Sequence, residues 1–458
     1  SAASDVYKRQ TYDEEVGITD INGDPIRKYA AVLPEEVKCF TEYLRAAGYY
    51  CTNNQKTDYQ FAAPVTAWDE NGPRAHWRGR PGEMPFFSIF NIGTTHESRL
   101  WRHRDLPLTV SPQDVQVPPY LPDNDTTRRD IARHYSNVEL MDAEVGKIIQ
   151  ALKDDGLYDQ TIIFFYSDHG GPLPRQKREI YDSGLHVPFL VKTIDRSRRG
   201  RTDRVISFVD LAPTVLSLAG EDPPEYMEGR AFLGAYEGQE RQYVFGSSDR
   251  FDEFTDRIRS ARDDQFLYIR NFIPELPKYK DVSYRKQIPM MQEMLRLRDQ
   301  GKLAGEQHQW FESKVHEELY DSSSDPHNMI NLAGDPAYAS VLNRMRNALR
   351  GHMNDHVDWG QMPEANLIRI MWPDGIQPAT SPPAFEKSDD GKLQLACPTQ
   401  GASIAYKLSY EEDEDTGMDS GWRLYHKPIP VKTGQYVYAV AERIGYKQSR
   451  VIRVPIHD

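Results

Sequence analysis

An acid, an imidazole and an amine stand close together in FFYSDHGGPLPRQKREIYDSGLHVPFLV, residues 164–191. An apolar run opens the stretch and another closes it, and between them lie Asp168, His169 and Lys177. An aspartate at a strand end is a good hard-oxygen metal ligand, and a neighbouring imidazole can ligate as well. A lysine returning between two core strands supplies a point charge for an anionic substrate. Singly, each has a plainer reading: Asp168 as a turn cap, His169 as a surface residue, Lys177 as a solvated lysine flanked by Arg175 and Arg178. Short motifs have many false positives, so the weight falls on what else the chain brings to them.

The elements around these residues alternate. LPEEVKCFTEYLRAAGYYCTNN (33–54) reads as a helix then a strand. Pro34, Glu35 and Glu36 suit a first helical turn, and Gly48 supplies the stop. Lys56 and Asp58 follow in the next loop. PFFSIFNIG (85–93) is strand-like and precedes His96 and Glu97. Residues 130–156 carry an apolar stripe at helical spacing, from Ile131 through Val138 and Val145 to Leu152. TIIFFYSDHG (161–170) is nearly continuous in its apolar run, as a strand buried on both faces of a parallel sheet would be. HVPFLVK (186–192) is a further strand, and VDLAPTVLSLAG (209–220) a helix from Asp210 to Gly220. Such alternation predicts an α/β fold with a mostly parallel sheet flanked by helices. Ligands of such sheets bind beyond the carboxyl ends of the strands, where Lys56, His96, Asp168 and His169 all fall.

Past residue 240 the pattern changes to short strands, QYVFGS, RIRSAR, QFLYIRN and HEELYD, which predict a small antiparallel subdomain over 241–372. A closing helix is expected over 336–356. Residues 373–391, rich in Pro, Ser, Asp and Gly, read as a linker. Residues 392–458 read as a small β-sandwich-like domain. The acidic loop 410–421 is expected to be a solvated hairpin tip, since it lacks EF-hand spacing. SAASDVYKRQ (1–10) has no apolar core of a signal peptide and reads as a non-native segment, which leaves 11–240 as the α/β core.

With 458 residues, 39% hydrophobic and 27% charged, the composition is that of a globular protein. A net charge of −13 argues against nucleic acid as the partner but leaves room for a local basic pocket. No apolar stretch approaches the roughly 18 residues that a membrane span needs. Cys39, Cys51 and Cys397 form neither a disulfide framework nor a metal motif.

SDHGGPLPRQKREIYDSGLHVPFLV resembles the second conserved region of the formylglycine-dependent sulfatases, in the alkaline phosphatase superfamily. VKCFTEYLRAAGYYCTNNQKTDYQF (37–61) resembles the stretch with their first active-site lysine, and PFFSIFNIGTTHESRLW (85–101) their active-site histidine strand. VDLAPTVLSLAGEDPPEYMEGRAF and EELYDSSSDPHNMINLAGDP resemble later landmarks. The similarity covers most of 30–355 and lies nearest the heparan N-sulfatase-like branch. It implies that Asp168 and His169 ligate a divalent cation, calcium by family habit, with zinc the rival because an imidazole is softer than calcium prefers. It implies that Lys177 binds the sulfate, that Lys56 binds it too or assists the nucleophile, and that His96 contacts it and helps protonate the leaving oxygen. Asp58 stands where many members carry histidine, and its role is left open as a substrate-binding candidate. His76, Glu97 and Asp182 are weaker candidates, for which structural hydrogen bonds are expected. The implied substrate is a sulfated carbohydrate or other sulfate monoester, and the implied compartment periplasmic or extracellular.

The family nucleophile is a formylglycine made in a Cys/Ser-x-Pro-x-Arg motif, and these 458 residues contain none: Cys39 precedes FTEY, Cys51 TNNQ and Cys397 PTQG. Nor does a strand with paired aspartates precede Lys56. The expectation is an N-terminally truncated sulfatase that lacks its nucleophile, half its metal shell and a central strand, and is inactive as it stands. Two rivals are weighed beside it. One is a zinc-dependent phosphodiesterase or phosphatase of the same superfamily. The other is a non-catalytic glycan binder using Trp422, Tyr425, Tyr436 and Tyr438.

Overall fold

The computed structural model describes residues 18–20, 22–195, 199–388, 391–411 and 421–457. The segment 1–10 and most of the acidic loop 410–421 lie outside the described residues.

The first helix, α1 (Phe40–Ala46), begins later than Pro34 and its glutamates suggest. Residues 34–37 instead close a turn, with the Val37 amide donating to the Pro34 carbonyl. The effective start signal is Glu42, whose carboxylate accepts the Cys39 amide at 2.8 Å. Gly48 ends the helix as expected, at a φ of 92° that a side chain would resist. Next, β1 (Tyr50–Asn54) lies between β2 (Glu70–Asn71) and β3 (Phe86–Phe90), all three parallel. After α2 (Ser98–Arg102) and the long α3 (Asp125–Asp154) come β4 (Ile163–Tyr166), the one-turn α4 (Asp182–Leu185) and β5 (Phe189–Lys192). A 3-10 turn then leads into α5 (Leu211–Ala219), and Gly220 stops it at a φ of 81°.

The expectation for β4 needs correcting. It pairs with β5 in antiparallel fashion, Ile163 opposite Lys192. The chain between them holds only one turn of helix, so it folds back rather than crossing over the sheet. Among the described residues no strand joins β3 to β4, and the sheet stands in two pieces. Leu190 is therefore 57% exposed instead of buried on both faces. Tyr166 leans on the rings of Phe189 and Phe208, at 5.5 and 5.2 Å.

The antiparallel subdomain follows the sequence reading closely. β6 (Val244–Ser248), β7 (Ile258–Arg262), β8 (Phe266–Asn271) and β9 (Glu317–Asp321) form one sheet in that order. Helix α6 (Pro289–Asp299) enters between β8 and β9, and α7 (Ala339–Asp355) closes the subdomain against β7. The stretch read as linker contains a strand, β10 (Ala384–Lys387), which pairs with β11 (Leu393–Ala396) because its Ala-Phe-Glu-Lys alternation fits a pleated edge. Strands β12 (Ser403–Ser409), β13 (Arg423–Leu424), β14 (Tyr436–Glu442) and β15 (Ile452–Pro455) form the second layer. Leu393 and Leu395 share a core with Ile404 and Val437 across the two layers, as a small sandwich requires. Trp422 and Tyr438 are core residues at 4% and 3% exposure and present no face to a glycan.

The β-domain is docked, not tethered. The buried guanidinium of Arg45 on α1 pairs with Asp69 at 2.8 Å and donates to the Trp422 carbonyl at 2.7 Å. The Val65 amide donates to Glu442 at 2.6 Å, and Lys38 to the Gly401 carbonyl at 2.5 Å. The three cysteines are free thiols, and Cys51 is fully buried. No described helix is long and apolar enough to cross a membrane.

Helices α3 and α6 meet in a cluster of Ile131, Met290, Met291, Met294 and Trp310. At its edge the buried Asp130 accepts the Met290 amide at 2.7 Å. Burial pushes this carboxyl up to about 7, against the pull of that amide and of Arg129. The folded state thus holds the proton more tightly than the unfolded chain, and stability falls as pH rises from about 4 to 7. Asp130→Asn keeps the acceptor without the charge. It is expected to raise stability at pH 8 by on the order of 2 kcal/mol and by nothing below about pH 4, read by urea titration at both pH values.

Candidate active site

Three loops that leave β1, β3 and β4 carry the sequence-predicted side chains. The longest, 168–185, folds on itself too tightly for side chains at two of its glycines. The Gly170 amide donates to the Gly184 carbonyl at 2.8 Å, and a Cβ on Gly170 would overlap the Ser183 carbonyl oxygen. The Gly171 carbonyl accepts the Lys177 amide at 3.0 Å, and Arg285 donates to the Lys177 carbonyl at 3.0 Å. Arg175 and Arg178, on either side of Lys177, adopt left-handed backbone with φ of 59° and 78°. Such strain persists where the surroundings over-determine it. Here Arg175 is pinned by two 2.7 Å bonds to the carbonyls of His327 and Asn328, and its guanidinium lies 4.3 Å from the Tyr181 ring centroid.

Two groups of side chains result. In the first, the Lys56 ammonium sits 3.1 Å from Asp168 and 3.7 Å from Asp58. His169 Nε2 is 3.6 Å from the other Asp168 oxygen. The Nδ1 of His169 lies 2.7 Å from the Gly170 carbonyl, to which only a protonated nitrogen can donate, so the ring presents its Nε2 edge to Asp168. Partial desolvation opposes the Asp168 charge, but His169, Lys56 and Lys177 outweigh it and hold the carboxyl at about 2. In the second group, Lys177 Nζ is 3.4 Å from His96 Nε2 and 3.4 Å from Glu97. The His96 Nδ1 accepts the Ser98 amide at 3.3 Å, which leaves the proton of the neutral ring on Nε2, facing Lys177. The field of Lys177 at Asp168 links the two groups.

Glu97 carries more than the incidental hydrogen bond expected of it. Arg178 grips its carboxylate with two bonds of 2.7 Å, and the same guanidinium lies 3.6 Å from Asp252. All three side chains are 1% exposed. Arg178 and Asp252 are the site-supporting residues that sequence reasoning missed. Asp252 lies in a turn of the second subdomain, closed by mutual Phe251 and Phe254 backbone bonds, and carries no local motif. The remaining weak candidates are structural. Asp182 pairs with Arg262 at 3.2 Å, and His76 caps a 3-10 turn by accepting the Arg78 amide.

Asp168 and His169 offer two ligand positions. Among the described residues no group of three or more His, Cys, Asp or Glu is arranged to hold a metal. Calcium takes six to eight oxygens and zinc four donors, more than these two side chains supply, and Lys56 already pairs with Asp168.

Removing Arg178 would take a buried cation from both Glu97 and Asp252, while Lys177 stays 3.4 Å from Glu97. Arg178→Met is expected to cost about 3–5 kcal/mol, and adding Glu97→Gln to it should recover part of that loss. Equal stability of the single and double variants in urea titrations would show that the pair is not coupled.

The sulfatase family model matches residues 74–221. Over 468 aligned residues, the chain is 43% identical to an ulvan-active sulfatase of Formosa agariphila, covering 94% of this chain and 78% of that protein. It is 30% identical over 287 residues to the N-sulphoglucosamine sulphohydrolase of Homo sapiens, 58% of this chain and 56% of the relative. A solved 2-O GAG sulfatase superposes with a TM-score of 0.52 at 18% identity, over 79% of this chain and 83% of that one, which speaks for the fold. On these grounds the chain belongs to the sulfatase family.

Proposed function

We propose that this chain receives the sulfate group of a sulfated carbohydrate between Lys177, His96 and Lys56, the groups that serve hydrolysis of a sulfate ester or N-sulfate. The observation that carries the reading is the 3.4 Å approach of Lys177 Nζ to His96 Nε2. An ammonium and an imidazole N–H both donate, and two donors at this distance are complementary to an anionic oxygen lying against both. Lys56, paired with Asp168 at 3.1 Å, adds a second positive charge. Charge that builds on the sulfate oxygens during attack at sulfur would meet fixed donors rather than mobile water. As the bond from sulfur to the leaving oxygen or nitrogen breaks, His96 Nε2–H is the proton donor within reach. The similarity to proteins named for ulvan and for N-sulphoglucosamine supports a sulfated glycan as substrate. Polymers of that kind would be met outside the cytoplasm, in the periplasm or beyond.

Sulfatases generally use a divalent metal. Asp168 and His169 would hold it here, calcium being the proposed ion, and it would polarise a sulfate oxygen. No step is assigned to it. The 458 residues carry no Cys/Ser-x-Pro-x-Arg motif from which the nucleophile could be made. We therefore infer that this chain alone binds without turning over.

Calorimetry with inorganic sulfate is expected to give one site whose affinity falls about tenfold or more in Lys177→Ala. 4-Nitrophenyl sulfate should release no nitrophenol. An unchanged affinity in Lys177→Ala would overturn the sulfate assignment, and turnover would overturn the inference of inactivity. Calcium titration should show binding no tighter than about 10⁻⁴ M, as two protein ligands imply, and Asp168→Ala should remove it.

A further inference from the structure

A cavity of about 460 Å³ lies at the junction of the α/β core and the β-domain, apart from the residues of the sulfate site. Its walls come from four distant stretches: Lys28 to Ala30, Ala62 and Pro64, Trp372 and Gln377, and Glu442 to Gln448. The volume falls within the range of small-ligand sites.

The lining has an uncommon balance for a chain of net charge −13. Lys28, Arg443 and Lys447 bring three positive charges, and Arg27 adds a fourth beside them, its guanidinium 5.2 Å from the Trp372 ring centroid. The acid in the lining, Glu442, is already engaged. Its oxygens accept the Val65 amide and the Gln448 side-chain amide, each at 2.6 Å. Burial pushes its carboxyl up to about 7, so it opposes an incoming anion weakly. Arg443 keeps donor capacity in hand. It reaches Tyr446 Oη at 3.2 Å and the Leu33 carbonyl at 3.4 Å, yet its buried Nε–H has no acceptor. That nitrogen has no surface open to a ligand, so the donors Arg443 can offer are the terminal N–H groups not spent on Tyr446 and Leu33. Tyr29, Trp372 and Tyr446 supply rigid aromatic surface with polar tips, suited to the C–H face of a pyranose.

The cavity also joins the sulfate site along the chain. Tyr29 and Ala31 are bonded to Gln60, the Ala31 amide to its carbonyl at 2.8 Å and its side chain to the Tyr29 carbonyl at 3.2 Å. Gln60 belongs to the same loop as Lys56 and Asp58. We propose that the junction cavity is a second subsite for an anionic pyranose, a sulfated or uronate-bearing unit of the glycan whose sulfate lies at Lys177 and His96. It rests on the sulfated-glycan reading above. It gives the β-domain a part in substrate choice that the buried Trp422 and Tyr438 could not supply.

The test uses the full chain and calorimetry with three probes: inorganic sulfate, a heparan-type tetrasaccharide, and the same tetrasaccharide desulfated with its uronates intact. Lys28→Ala/Lys447→Ala removes two exposed charges without touching the core, and Arg443→Gln is a second, deeper change. Each is expected to weaken tetrasaccharide binding about tenfold while leaving Lys177-dependent sulfate binding unchanged. Loss with the desulfated probe as well assigns the cavity to uronate, and loss with the sulfated probe alone assigns it to sulfate. Unchanged tetrasaccharide affinity in both variants, with Lys177-dependent sulfate binding intact, would overturn the subsite and leave the sulfatase reading standing. Sulfate binding indifferent to Lys177→Ala would instead overturn the reading on which the subsite rests.

Discussion

A carboxylate buried between two cations is expensive to leave unmatched, and Glu97 is such a group. It follows β3, while its partners Lys177 and Arg178 lie in the loop after β4. Arg178 also reaches Asp252 in the second subdomain. Two acids and two bases, all nearly devoid of solvent, have to arrive together or not at all. Buried ion pairs contribute little net stability over apolar packing, but breaking one is severe. That asymmetry makes the cluster a device for alignment. It fixes the position of Lys177 relative to His96, which precedes Glu97 in the chain, and it accounts for the left-handed backbone tolerated at Arg178.

The other half of the site is built to a looser standard. Lys56 is shared between Asp58 and Asp168, and both it and Asp168 keep substantial exposure, 38% and 54% of their side chains. The contrast has a chemical sense. The Lys177 ammonium is 4% exposed and held beside Glu97, whereas that of Lys56 is open to solvent and shared between two carboxylates. Asp168 stays ionised because His169, Lys56 and Lys177 together outweigh its partial desolvation.

The strands that carry the site were legible because their apolar runs are nearly unbroken and each ends in polar residues. β1, β3 and β4 emerge within one or two residues of the runs that suggested them. The start of α1 was misread because Pro34, Glu35 and Glu36 imitate a helix N-terminus, and nothing local says that Glu42 caps Cys39 instead. The antiparallel pairing of β4 with β5 was illegible for another reason. Periodicity reports burial, not direction, and direction here is set by a loop without a crossover helix. Within the site, Lys56, His96, Asp168, His169 and Lys177 carried recognisable surroundings. The Glu97–Arg178–Asp252 cluster joins residues far apart in the chain and has no motif, so only coordinates could reveal it.

Arg45 ties the two ends of the chain together. Its guanidinium spends donors on Asp69, on the Val65 carbonyl and on the Trp422 carbonyl. The C-terminal sheet thus completes the solvation of a cation that belongs to the first helix of the α/β core. Taking that sheet away would strip a buried cation of one of its acceptors unless position 45 were changed as well.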